Sequence, residues 1–208
     1  MGSSKFVSRG GEKLQAALNN FKVDIKDKVV LDVGSSTGGF VDCLLQNGAA
    51  KVYALDTSYG ELAWKLRNDP RVVVMERTNI LFPDTWKVGF DSFQVDLVTI
   101  DAGWTKLELA LPVVKKFLKE NGIIIALLKP HYEADMNLLA NVRRTLPFAN
   151  AKGKKGLVKG VLPQEVAERV KDEVLLKIED LKLKIVDIME SPILGGAGNR
   201  EYLLLIRV

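Results

Sequence analysis

Two rhythms of apolar residues run along the chain. Short unbroken apolar runs alternate with segments in which apolar positions return every three or four residues. The runs read as strands buried on both faces, and the spaced segments as amphipathic helices. Leu14, Ala17, Leu18 and Phe21 predict a first helix opened by Gly10-Gly11. Strands are predicted at Lys28–Val33, Lys51–Leu55, Val72–Met75, Val95–Ile100 and Ile123–Leu128. Helices fall between them. Phe40–Asn47 stops at Gly48, Glu61–Asn68 precedes Pro70, and Leu107–Glu120 ends at Asn121-Gly122, with Pro112 as a kink or a start. A longer helix begins at Pro163, its apolar stripe formed by Val166, Val170, Val174, Leu175, Ile178 and Leu181. Strand Leu183–Met189, a turn-rich stretch Ser191–Asn199 and a last strand Tyr202–Val208 complete the chain.

Strand alternating with helix predicts an α/β fold with a mostly parallel sheet covered on both sides. The nine-residue turn before the last strand is too short for a parallel crossover, so that strand is expected to run antiparallel. The 208 residues fit one domain. Within it, 1–27 form an N-terminal segment and helix, and 129–162 a basic loop or lid.

Composition excludes several classes. The longest aliphatic run, Ile123 to Leu128, is six residues, whereas a membrane span needs about 20. No signal-type apolar stretch opens the sequence, so the expected location is cytoplasmic. Cys43 and His131 are the single cysteine and histidine; an internal disulfide and a Cys- or His-rich metal site are excluded. A formal net charge of +4 says little, but its distribution says more. Arg143, Arg144, Lys152, Lys154, Lys155 and Lys159 lie in a stretch, Asn141–Gly160, without any acid. Such a patch suits the phosphates of a nucleic acid or another polyanion, or it is an ordinary solvated loop.

The first strand runs into Leu31-Asp32-Val33-Gly34-Ser35-Ser36-Thr37-Gly38-Gly39. Glycines at the carboxyl end of a parallel strand let backbone approach a ligand. Asp56 ends the second strand, where a carboxylate can accept both hydroxyls of a ribose. The G-x-G-x-x-G spacing of dinucleotide sites is absent. Asp32 would repel a pyrophosphate and suits the cationic amino-acid end of S-adenosyl-L-methionine. A nicotinamide cofactor and a glycine turn without ligand are the competing readings.

Several segments together resemble a known family. They are Phe6 to Leu14 (FVSRGGEKL), Leu31 to Leu45 (LDVGSSTGGFVDCLL), Gly48-Ala49, Leu66-Arg67, Arg71-Val72, Thr78-Asn79, Leu128-Lys129-Pro130, Ser191-Pro192-Ile193 and Gly198-Asn199. In this order they resemble the TlyA-type, hemolysin A-like branch of the FtsJ-like rRNA 2′-O-methyltransferases. The resemblance implies a Rossmann-like seven-stranded fold dependent on S-adenosylmethionine, with methyl transfer to ribose 2′-hydroxyls of ribosomal RNA. It implies a catalytic set that falls on Lys13, Asp101, Lys129 and Glu201. All four are predicted on one rim of the sheet: two at carboxyl ends of parallel strands, one at the start of the antiparallel strand, and one at the head of the first helix. A ribose hydroxyl must lose a proton as it attacks. An amine accepts that proton only when its pKa falls towards neutral, which burial and neighbouring positive charge favour.

The resemblance assigns the cofactor to Asp32, Gly34, Ser35, Thr37, Gly38, Gly39, Asp56, Thr57 and Asn79. RNA contact is expected from Arg9 and the basic stretch; Trp104 either stacks on a base or packs against the protein. Phe40 and Cys43 are expected to pack in the core, and His131 to be incidental. The family's small N-terminal RNA-binding domain of S4 type precedes the segment at which this sequence starts, which leaves the basic Arg143–Lys159 stretch as the best remaining RNA contact and an accessory RNA-binding chain as a further option. The residues after Asp101 (Ala-Gly-Trp-Thr-Lys) and after Lys129-Pro130 (His-Tyr-Glu-Ala-Asp) depart from the family pattern. Those departures leave a non-catalytic RNA-binding protein of the same fold as the alternative. Membrane lysis, suggested by the hemolysin label, finds no apolar span to support it.

Overall fold

The structure is a computed structural model that describes residues 5–86, 93–103, 105–135 and 161–208. Its strands are β1 (Val29–Val33), β2 (Lys51–Leu55), β3 (Val72–Met75), β4 (Val95–Ile100), β5 (Leu118–Leu128), β6 (Lys184–Glu190) and β7 (Tyr202–Arg207). Its helices are α1 (Gly10–Phe21), α2 (Gly39–Gln46), α3 (Trp64–Arg67), α4 (Leu107–Val114), α5 (Pro130–Glu133) and α6 (Gln164–Asp180). The strands form one sheet in the order β3-β2-β1-β4-β5-β7-β6. β1 to β5 pair in parallel, and β7 runs antiparallel to both β5 and β6. The expected antiparallel last strand is therefore observed.

Alternation along the strands creates two cores. Successive side chains of a strand point to opposite faces. Val30, Leu97, Ile125 and Leu203 face one side, where they meet Leu14, Ala17 and Leu18 of α1 and Val41, Leu44 and Leu45 of α2. Their neighbours Leu31, Val98, Ile124 and Leu204 face the other side, against Ala110 and Leu111 of α4 and Val170, Val174 and Ile178 of α6. Each fully buried aliphatic side chain contributes about 1.5–3 kcal/mol, so the unbroken apolar runs are what a sheet covered on both faces requires. Ile124→Ala would cost about 2–5 kcal/mol.

Chain winding reverses between β1 and β4, which leaves a crevice beyond their carboxyl ends. Hydrogen bonds draw those ends together: Gly34 N–H donates to Leu55 O at 2.8 Å, and Asp101 N–H to Val33 O at 2.9 Å.

Three elements differ from the sequence prediction. The helix expected to reach Glu120 ends at Val114, tightens into a 3₁₀ turn at Lys115–Phe117, and becomes β5 at Leu118. Leu118 pairs with Val95 across a register shift, and Phe117 stacks on Trp86 at 4.9 Å; tertiary pairing overrides local helix propensity here. α3 is one turn long rather than Glu61–Asn68, because Ala63 is extended and its N–H donates to Thr37 O at 3.1 Å. Residues 130–133 form the short α5 within the stretch expected to be a loop or lid; 136–160 lie outside the described residues.

Candidate active site

A cavity of about 720 Å³ opens at the carboxyl ends of β1, β2 and β4. Gly34, Ser35, Gly39, Asp56, Thr57 and Asn79 line it, together with Lys13, Asp101 and Lys129. Gly34 has φ +86, and a Cβ there would lie 2.6 Å from the Asp101 carbonyl oxygen. Only glycine lets the β1 and β4 ends approach this closely. At Gly39 a Cβ would collide with Ser8 Oγ and lie 2.9 Å from Gly11 N. The SRGG and TGG segments thus interlock where α1 and α2 begin.

The Asp56 carboxylate is held by its own surroundings. Oδ2 accepts the Ser36 N–H at 2.7 Å, and Oδ1 accepts the Ser58 N–H at 2.8 Å. Asn79 Oδ1 accepts the Leu81 N–H at 2.9 Å, which turns Ile80 and Leu81 towards the cavity they line.

At the other end stand two lysine–carboxylate pairs. Lys13 Nζ donates to Glu201 Oε2 at 2.5 Å, a contact between residues 188 positions apart. Both side chains are buried, and Glu201 lies beneath Gly195, where any Cβ would strike its carboxylate. Lys129 Nζ lies 2.6 Å from Asp101 Oδ1 as an ion pair outside hydrogen-bond alignment. Gly10 brings α1 against the same group: a Cβ there would lie 3.7 Å from Asp101 Oδ2.

Three residues expected at the cofactor are not among those that line the cavity: Asp32, Thr37 and Gly38. Asp32 has 0% exposure. It shares the parity of Val30, so its side chain turns under the glycine loop towards the α1–α2 face. There Thr99 Oγ1 donates to its Oδ1 at 2.5 Å, while Oδ2 is buried without a hydrogen-bond partner. Burial, with smaller contributions from Asp101 and Asp56, pushes its carboxyl up to about 7 against the lowering effect of the Thr99 hydroxyl. Thr37 supplies its carbonyl to Ala63. Gly38, at φ +97, makes room for Leu62 and Leu66 where a Cβ would sit.

Glu201 is likewise absent from the lining and acts on it through Lys13. Arg9 is exposed, and its Nη2 donates to Leu194 O at 2.7 Å, tying the SRGG segment to the 191–199 turn. Trp104 and the basic residues Arg143, Arg144, Lys152, Lys154, Lys155 and Lys159 lie outside the described residues.

Other residues escaped the sequence reading. Ser8, Gly10, Ser58, Glu61, Ala102 and Thr105 line the cavity, and Phe40 lines it while packing in the core. Several of these adjoin a predicted position, so neighbourhood was the only signal. His131 is half-buried with Nδ1 unpartnered; burial, then the charges of Lys129 and Lys13, lower its pKa to about 4. Cys43 is core, its thiol pushed up to about 12 mainly by burial. Among the described residues no acid, histidine and cysteine cluster could hold a metal, and no helix is long and apolar enough to cross a membrane.

The family model of the FtsJ-like methyltransferases matches residues 6–208. The chain belongs to that family. It is 42% identical to the Bacillus subtilis protein YqxC over 96% of its own length and 65% of YqxC. It is 37% identical to the 16S/23S rRNA (cytidine-2′-O)-methyltransferase TlyA of Mycobacterium tuberculosis, over 97% of this chain and 68% of TlyA. A solved structure from Streptococcus thermophilus, named for hemolysin, superposes with a TM-score of 0.80 at 34% identity, covering 99% of this chain and 68% of the other. The chain thus spans about two thirds of the length of these relatives. The sheet order and the crevice are those of a Rossmann-like methyltransferase.

Proposed function

We propose that this FtsJ-like chain transfers a methyl group from S-adenosylmethionine to a ribose 2′-hydroxyl of RNA, with ribosomal RNA as the target. The observation that carries the reading is the meeting of Lys13, Asp101 and Lys129 on the wall of a cavity whose opposite end is glycine-lined and tipped by Asp56. When bound, the cofactor supplies a methyl group activated on a sulfonium.

The residues present fit that group. Each Asp56 oxygen already accepts one backbone N–H, and a carboxylate offers about four acceptor sites, so capacity remains for ribose hydroxyls. Ile80 and Leu81 offer an apolar surface to adenine, with Asn79 and Thr57 beside them. Gly34, Ser35 and Gly39 admit the methionine portion, and Asp32 beneath the loop is the buried acid that its ammonium group would favour in ionised form.

At the far end Asp101 holds Lys129 Nζ at the cavity wall. Lys129 Nζ is the group placed to receive the proton of the attacking hydroxyl. Lys13, fixed by Glu201, brings positive charge to the same wall and orients the substrate. Most of the rate comes from holding the hydroxyl in line with the methyl carbon. Arg9 and the basic stretch from Arg143 to Lys159 hold phosphates, and an accessory RNA-binding chain adds target choice. Such a reaction belongs in the cytoplasm, with its RNA.

Tritium transfer from labelled cofactor to unmethylated ribosomal RNA or subunits tests the reading, followed by mapping of the methylated nucleotides. Transfer that disappears in Lys129→Ala is expected. Cofactor binding without transfer to any RNA would overturn it in favour of a non-catalytic RNA-binding protein.

A further inference from the structure

Beyond the cofactor cavity, the segments that follow β2 and β3, α3 included, carry three of the most exposed large apolar side chains in the described residues: Tyr59 at 68%, Trp64 at 77% and Phe82 at 59%. These segments are braced. Gly60 N–H donates to Glu76 Oε1 at 2.9 Å, Arg67 Nη2 pairs with the same oxygen, and Arg77 N–H donates to Ser58 O at 3.0 Å. The rings are therefore displayed on a fixed frame. Tyr59 and Trp64 line a shallow groove of about 520 Å³, together with Gly60, Leu62, Ala63 and Arg67. The Arg77 guanidinium lies over the Tyr59 ring, 4.2 Å from its centroid. Glu61 lines both this groove and the cofactor cavity, so the two are continuous along one rim of the sheet.

We infer that the Tyr59–Trp64 groove is a base-stacking platform for unpaired nucleotides flanking the modified ribose. Three observations select RNA as the occupant. Two exposed aromatic rings line the groove, whereas Leu62, which also lines it, is 4% exposed and leaves little aliphatic surface to grip. An arginine already lies on one ring, the cation–aromatic combination that single-stranded nucleic acid uses. The groove also joins the cavity at which a ribose would be held, so a strand entering one extends over the other. Unpaired bases are what such surfaces read, because only they expose a free face.

The inference rests on RNA being the substrate, and the test separates the two. Fluorescence anisotropy would follow a fluorescein-labelled single-stranded oligouridylate of about 12 nucleotides, a length within the usual site sizes, titrated with the full chain in the presence of S-adenosylmethionine. Trp64→Ala and Tyr59→Ala are each expected to weaken binding roughly five- to hundred-fold, the loss of one base–aromatic stack. Trp64→Phe and Tyr59→Phe should retain most of it. Cofactor affinity by calorimetry should stay at the wild-type value in all four, because neither side chain lines that cavity. Wild-type protein that does not bind the oligonucleotide, alanine variants that bind it as wild type does, or a loss that tracks lost cofactor affinity would each overturn the platform; the second outcome would leave the surface to a protein partner. Binding that depends on the two rings while no methyl is ever transferred would keep the platform and discard the methyltransferase reading.

Discussion

The two ends of the cavity are built from different material. At the β1–β2 end the walls are mostly backbone and short side chains: Gly34, Ser35 and Gly39, with Asp56 pinned by two amide hydrogens. That end comes from two short stretches of chain, and local conformation shapes it. At the β4–β5–β7 end the walls carry the charged side chains of Lys13, Asp101 and Lys129, with Glu201 behind Lys13, held in pairs at 2.5 and 2.6 Å. Nothing local positions Lys13 against Glu201; the whole sheet intervenes. Damage at the first end should therefore appear as lost binding, and damage at the second as lost chemistry or lost stability.

The sharpest separation is expected from Lys129→Ala. Loss of a proton acceptor costs about 10²- to 10⁴-fold in rate, while cofactor affinity measured by calorimetry should hardly move. An equal fall in both would erase the distinction between the ends. Glu201→Ala comes next. It leaves Lys13 buried without its carboxylate, and breaking a buried pair in this way costs about 3–5 kcal/mol, readable as a lowered urea midpoint. Gly34→Ala should act on the opposite end, since it forces a Cβ into the Asp101 carbonyl at a positive φ. A strain of about 1–3 kcal/mol should accompany a clear loss of cofactor binding, with the Lys13–Glu201 pair intact.

The smallest effect concerns pH, because two groups oppose each other. Asp32 goes from 3.8 unfolded to about 7 folded. Its contribution to stability is full below about pH 4 and is lost as pH rises through 7. His131 goes from 6.5 to about 4, so its contribution is full above pH 6.5 and is lost as pH falls through 4. Denaturant unfolding between pH 4 and 7 should show a shallow wild-type profile. Asp32→Asn should tilt it towards greater stability at high pH, and His131→Gln should tilt it the other way. Parallel profiles for all three proteins would show that neither group is buried as described.

Much of this molecule was readable without coordinates. The bounds of β2, β3 and β4 coincide with the predicted strands, because a strand covered on both faces is built mainly of apolar residues. The crevice was legible for a related reason: glycines and an acid at strand ends leave room for a ligand. Two details were not legible, for equally physical reasons. Residues 118–120 read as the end of a helix, but Leu118 pairs with Val95 and joins the sheet. Asp32 read as an acid beside the cationic end of the cofactor; which way its side chain turns, under the glycine loop, follows from strand parity.

By itself, the sequence determined which segments are strands, which face of each helix is buried, that the last strand reverses, and which residue types were available for the chemistry. Those properties follow from spacing along the chain and from the free energy of burying apolar surface, both of which are local. Only the tertiary structure decided that Lys13 meets Glu201, that Lys129 meets Asp101, that the Asp32 side chain turns away from the cavity lining and that Tyr59 and Trp64 line one groove. Such juxtapositions depend on strand order and side-chain direction, which arise when distant segments compete for the same space.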